Sequence, residues 1–291
     1  MAITQTFTST TTWVCPEGVR FVDVEVWGAG GSGGALGGSL MVSGGGGGAY
    51  SKIVSLAVTA NTSYTVTVGA GGAGVPDANN GNAGTDSWFS TVGTILAKGG
   101  LGGGWVGPGG TLSGALGGLA SAGVGATKFS GGNAGDSTPS NTGGRGGGGG
   151  AGDANNGGNG TANTATAGTG GATGGGNGGA GGSNNGGVRG GGGGGLNSFS
   201  GSSGNGGRGE IRLIYDFMDI VVLSEMVTAV VSKTISFADT LTLSDNSSAI
   251  RNIFRNVQKN LASMVNSVKN NATVQNVSKN VSTFINKLKN E

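Results

Sequence analysis

Histidine is absent from the 291 residues of this chain, and cysteine occurs once, as Cys15. A histidine-ligated metal, a nucleophile paired with an imidazole and a disulfide within the chain are therefore excluded. Proline is scarce, at 4 residues, and no Gly-X-Y register runs through the chain, so a collagen helix is excluded as well. Charged residues make up 10% and aromatics 5%, with a formal net charge of +2. No apolar run approaches the roughly 18 residues of a membrane span, and Met1-Ala2-Ile3-Thr4 opens no signal-peptide pattern. The expectation is a soluble protein that does not leave the cell through a signal peptide. What the chain has instead is glycine: 70 residues, all but one between Gly28 and Gly209.

Both flanks of this glycine field carry the alternation of strands. Val22, Val24 and Val26 fall on one face and Asp23 and Glu25 on the other, as in a half-buried strand. Pro16-Glu17-Gly18 reads as a turn joining that strand in a hairpin to an earlier run through Trp13 and Val14. Further strands are expected at 49–58 and 63–69, as a pair at 86–90 and 94–98, and as a return strand at 210–217, from their β-branched and aromatic content. That makes about seven short strands, enough for a small β-sandwich.

Glycine-dominated composition commonly marks disorder, because glycine loses the most backbone entropy on ordering and buries no side chain. The matching strands at both ends argue instead for a folded insertion held at its base. Its apolar residues are too few for a core of ordinary density. Part of it is periodic: Gly168, Gly171 and Gly174 recur at intervals of three, as do Gly175, Gly178 and Gly181, and Gly176, Gly179 and Gly182. Three residues per turn is the period of the polyproline-II helix, whose N–H and C=O groups all point outward. The reading is a packed bundle of glycine-rich polyproline-II rods, each rising about 3.1 Å per residue, that bond to one another through groups no Cβ holds apart.

Phe7-Thr8-Ser9-Thr10-Thr11-Thr12-Trp13-Val14-Cys15-Pro16-Glu17-Gly18-Val19 is followed by Val24-Glu25-Val26-Trp27-Gly28-Ala29-Gly30-Gly31. A glycine run then leads into Ala49-Tyr50, Tyr64-Thr65-Val66-Thr67-Val68-Gly69-Ala70-Gly71-Gly72, and a closing Gly206-Gly207-Arg208-Gly209-Glu210-Ile211-Arg212. This ordered string, over residues 1–217, resembles the glycine-rich domain of bacteriophage tail-fibre and tail-tip proteins. The resemblance implies packed polyproline-II rods whose connecting loops contact the host surface. Residues beyond 217 depart from it. Segment 218–247 holds no glycine and reads as a connector with short strands. From 248 to 291, Val257, Leu261, Met264 and Val268, then Val277, Val281, Phe284 and Leu288, follow spacings of three and four. They predict an amphipathic helix that oligomerises or docks, since its narrow stripe needs a partner.

Candidate sites are few. Gly-x-Gly-x-x-Gly matches carry no weight in a chain so rich in glycine, and no cofactor site is expected. Arg145 and Arg189 each precede Gly-Gly but lack interleaved aromatics, so they read as turn or loop arginines and no nucleic-acid partner is expected. Asp77, Asp136 and Asp153 are isolated, with no calcium loop. Trp88, Phe89, Trp105, Phe129 and Phe199 have two readings: they line a glycan-binding surface, or they pin glycine rods onto the sandwich. Core packing is the better account for Trp13, Trp27 and Trp88, and Trp105, Phe129 and Phe199 are the candidates for surface recognition. Cys15 reads as a small buried residue.

The sequence thus predicts a mainly β protein in four parts: a β-sandwich base (1–98 and 210–217), a glycine-rich polyproline-II region (99–209), a connector (218–247) and an amphipathic helix (248–291). It is expected to be no enzyme but a phage virion protein, most simply a tail-fibre or tail-tip adhesin. The alternative is a baseplate, capsid-decoration or head-fibre protein without receptor binding. Expected partners are other virion proteins, a host surface glycan or outer-membrane protein, and further copies of the chain, with a trimer as one arrangement.

Overall fold

A computed structural model describes residues 2–36, 41–107, 110–138 and 143–217. The connector at 218–247 and the helix at 248–291, with Val257, Leu261, Met264, Val268, Val277, Val281, Phe284 and Leu288, lie outside these residues. The described chain is mainly β, and its only helical element is a 3-10 turn at Ala120–Ala122. Eleven strands form: β1 Ile3–Phe7, β2 Thr11–Val14, β3 Phe21–Trp27, β4 Met41–Val42, β5 Tyr50–Ala57, β6 Ser63–Thr67, β7 Ser87–Phe89, β8 Ile95–Ala97, β9 Trp105–Val106, β10 Thr127–Phe129 and β11 Glu210–Tyr215. One antiparallel sheet has the order β1-β11-β3-β5-β10, a second β2-β6-β7-β8, and β4 pairs with β9 by itself.

The two larger sheets share one core. Val22, Val24 and Val26 of β3 and Ile211 and Leu213 of β11 meet Trp13, Val66, Phe89 and Ile95 from the second sheet. Trp13 sits among Tyr64, Phe89 and Tyr215, with ring centroids 5.6–5.9 Å apart, and Cys15 is buried. The hairpin expected around Pro16-Glu17-Gly18 does not form: β2 pairs with β6, while β3 pairs with β11 and β5. Trp13 and the β3 valines all need the same core, so the turn carries the chain from one sheet to the other. Gly18, at φ 81°, closes it. A β-bulge interrupts β3 against β5 between Val22 and Val24, where Ser55 adopts φ 53° and its amide donates to Asp23 Oδ1 at 2.7 Å. The pairing expected at 86–90 and 94–98 forms as β7 and β8.

From Trp27 onward the chain enters extended segments that are neither helix nor strand. Their amides address three neighbours in rotation. Gly28, Gly31 and Gly34 donate to Ala49, Gly46 and Ser43; Ala29, Ser32 and Ala35 donate to Thr85, Asn82 and Asn79; Gly30 and Gly33 donate to Gly207 and Gly204. Segment 144–152 behaves alike: Gly147 and Gly150 donate to Gly179 and Gly176, Gly148 and Ala151 to Gly45 and Gly48, Gly149 and Gly152 to Gly158 and Asn155. Glycine is required because the neighbours are backbones. A Cβ on Gly31 would overlap the carbonyl oxygen of Leu101, and one on Gly47 that of Gly149.

Position in the bundle decides composition. Segments 28–36, 43–49, 145–152 and 190–196 are buried throughout, have neighbours on every side and are mostly glycine. Segments such as 168–172 and 176–180 bury one residue in three, half-bury the next glycine (Gly170, Gly178) and expose the other, Thr169, Ala172, Asn177 or Ala180. The glycine register at 168–182 therefore belongs to outer segments; of the inner ones, 44–48, 146–150 and 190–195 are unbroken glycine, and 28–36 keeps a buried triplet of small residues, Ala29, Ser32 and Ala35. Where an outer amide has no backbone neighbour, a side chain serves. Gly117 donates to Asn133 Oδ1, Asn133 donates to Asn159 Oδ1, Gly114 donates to Asp136 Oδ1 and Gly170 donates to Asn177 Oδ1, all at 2.7–3.0 Å.

The bundle does not begin at residue 99, where the composition changes. Segments 28–36, 43–49, 69–75 and 79–85 bond within it, and β10 returns from inside the field to the sandwich.

Candidate functional site

Two clusters of functional side chains stand out, at opposite ends of the bundle. Where sandwich and bundle join, Trp27 and Tyr50 pack with Ala151, and Phe129 stacks on Tyr50 at 6.3 Å. Arg189 and Arg212 lie over the Trp27 ring at 5.3 and 4.8 Å. Glu210 takes Arg189 at 2.7 Å and Arg208 at 3.4 Å, while Glu25 takes Lys52 at 3.1 Å and Arg212 at 3.4 Å. The Tyr50 hydroxyl donates to Glu25 Oε1 at 3.1 Å. Burial, first, and then the Glu25 charge push the Tyr50 phenol above its ordinary pKa.

This joint was not singled out in the sequence, although the signal was present. Arg208, Glu210 and Arg212 alternate along one strand face, and Glu25 precedes Trp27 on the face expected to be solvated. Glu25 is in fact buried, because the bundle covers that face. Arg189 is a turn arginine, at φ 63°. Arg145 is not: it lies inside the bundle at 1% exposure and donates to the Gly143 carbonyl.

The far end of the bundle is made of turns. Leu196 packs with Ala35 and Val75 in a small apolar plug, and the chain then turns through Asn197 to Ser202. Phe199 projects from that turn at 77% exposure. Trp105, 39% exposed, sits in β9 opposite Val42, and its amide donates to Asn80 Oδ1 at 3.3 Å. Pro76 bridges to Ser202 at the same end.

Of the three surface candidates, Trp105 and Phe199 thus share one end while Phe129 lies at the other, partly buried on Tyr50. Phe89, Trp13 and Trp27 are buried, and Trp88 is half-buried in β7. Ser198 and Ser200 flank Phe199 in its turn, and Asp77 follows Pro76, which bridges to Ser202. Among the described residues no group of three His, Cys, Asp or Glu gathers as metal ligands would.

A family profile described as a glycine-rich domain matches residues 5–216, from β1 to the end of β11. The chain belongs to this glycine-rich domain family. No curated protein matches it. The match takes in both sheets and the whole bundle, so the glycine-rich domain is a single unit of sandwich and bundle with the ionic joint inside it. Its chain enters and leaves at the sandwich, and the aromatic turns lie at the end away from both.

Proposed function

We propose that the extended segments are polyproline-II rods and that the chain is a non-enzymatic phage virion protein, a tail-fibre or tail-tip adhesin that meets the host with the far end of its bundle. Support for the rod geometry is the three-neighbour rotation of amide donors, which is the period of that helix. The adhesin reading is carried by Trp105 and Phe199: two aromatic side chains, one in the short strand β9 and one in a turn, are exposed at the end of a scaffold closed by backbone bonds. Aromatic faces among hydroxyl and amide groups suit an uncharged, hydroxyl-rich ligand such as a surface glycan. The resemblance of residues 1–217 to phage tail proteins is the support for the particle and the partner class. No cofactor is needed for such contact.

The purified full chain is expected to bind host cells and to compete with phage adsorption. Trp105→Ala/Phe199→Ala is expected to lose both while its circular dichroism spectrum is unchanged. Absence of binding by the wild type, with the protein located by microscopy in the capsid shell or internal tail, overturns the adhesin reading. One observation favours the purely structural alternative in that event. Leu101, Leu116 and Leu119 are exposed on adjoining segments, Leu101 donating to the Leu116 carbonyl, and form an apolar flank suited to a neighbouring virion protein.

A further inference from the structure

Sheet edges invite pairing with other chains unless they are short, charged, bulged or covered. On one side of the sandwich both edges are guarded. β10 has three residues, carries Lys128 and runs at Ser130 into the bundle; β8 has three residues, and its Leu96 exchanges backbone bonds with Val124. The opposite side ends in β1 and β2. From Ala2 to Val14 there is no charged residue and no proline. β1 pairs with β11 without a bulge from Ile3 to Phe7, and its other edge pairs with no described strand.

We propose that β1 is a self-pairing edge: β1 of a second copy of this chain lies antiparallel to it across a twofold axis at Gln5, joining the two β1-β11-β3-β5-β10 sheets into one. The occupant follows from the sequence of the strand. In this register Gln5 faces Gln5, Thr4 faces Thr6 of the second copy, and Ile3 faces its Phe7. Threonine pairs and aromatic–β-branched pairs are among the favourable cross-strand neighbours, and a contact of a patch with itself closes as a dimer. Ile3, 37% exposed beside the buried Phe7, gains a neighbour on its open side. An uncharged edge meets its own copy without repulsion. The pairing does not rest on the adhesin reading.

Sedimentation velocity of the full chain tests it. Thr4→Lys/Thr6→Lys sets lysine against lysine across the axis and is expected to have half the wild-type mass, with an unchanged near-ultraviolet circular dichroism spectrum. Thr4→Glu/Thr6→Glu should do the same, and it decides the matter should the lysines impair folding. Thr4→Glu/Thr6→Lys sets opposite charges against each other in this register alone, and is expected to restore the wild-type mass. A wild-type mass unchanged by the like-charge variants, or a Glu/Lys variant that stays at half mass, overturns the proposal.

Discussion

At the scale of the residue, the fold turns on what a side chain would strike. Gly47 faces the Gly149 carbonyl, whereas Gly107 has nothing within 4 Å of where a Cβ would stand. Gly47→Ala is therefore expected to lower stability by at least about 1–3 kcal/mol, the usual overpacking cost, and Gly107→Ala to leave the denaturant midpoint nearly unchanged. Thr173 stands at φ 56° beside Gly174, a left-handed conformation that a β-branched residue pays for. Thr173→Gly is expected to raise the unfolding midpoint, by up to about 1 kcal/mol after glycine's own entropy loss. Tyr50 supplies a pH dependence. Its folded pKa lies above its ordinary value of 10.0, so the stability it contributes is complete below that value and is lost as pH rises past it. Ultraviolet titration should find a phenol that ionises only as the fold opens, and Tyr50→Phe should remove that part of the alkaline loss.

At the scale of the element, strands and glycine segments differed in how openly the sequence announced them. Val22, Val24 and Val26 announced β3 by alternation, because one sheet face meets the core and the other does not. The same reasoning misjudged Glu25, since nothing local tells that a distant glycine segment will cover it. It misjudged Pro16-Glu17-Gly18 too, because a turn between two strands looks alike whether it folds them together or passes between sheets. In the glycine field the period read from glycine lay at 168–182, where one face is exposed; 28–36 carries the same period in the buried small residues Ala29, Ser32 and Ala35, which went unread, and 190–195, glycine throughout, has no face to mark. The outer Asn residues, abundant and without apparent meaning as a list, become readable as acceptors once their neighbours are known. Asn133→Ala leaves the Gly117 amide without its acceptor and should cost about 1 kcal/mol; Asn133→Asp, which keeps an acceptor as Asp136 does for Gly114, should cost less in the same denaturation assay.

At the scale of the whole molecule, two unlike interiors are fastened together. The sandwich is held by apolar burial, and the bundle by backbone hydrogen bonds, with an apolar cluster at each of its two ends. The joint of Trp27, Arg189, Glu210 and Arg212 couples them. Glu210→Ala, which leaves Arg189, Arg208 and Arg212, the last with its Nε 3.7 Å away, without that carboxylate, should destabilise the domain by a few kcal/mol, less than a fully buried pair because the arginines remain partly solvated. A loss of cooperativity in thermal unfolding would accompany it. Such a scaffold explains how Trp105 and Phe199 are held out at a fixed place by a region that is mostly glycine. The central claim is that this region is ordered by its own backbone, and amide hydrogen exchange tests it most directly. The amides of 28–36, 44–49, 146–152 and 190–196 are predicted to exchange as slowly as those of β3 and β11; complete exchange of these glycines while the strands remain protected would contradict it.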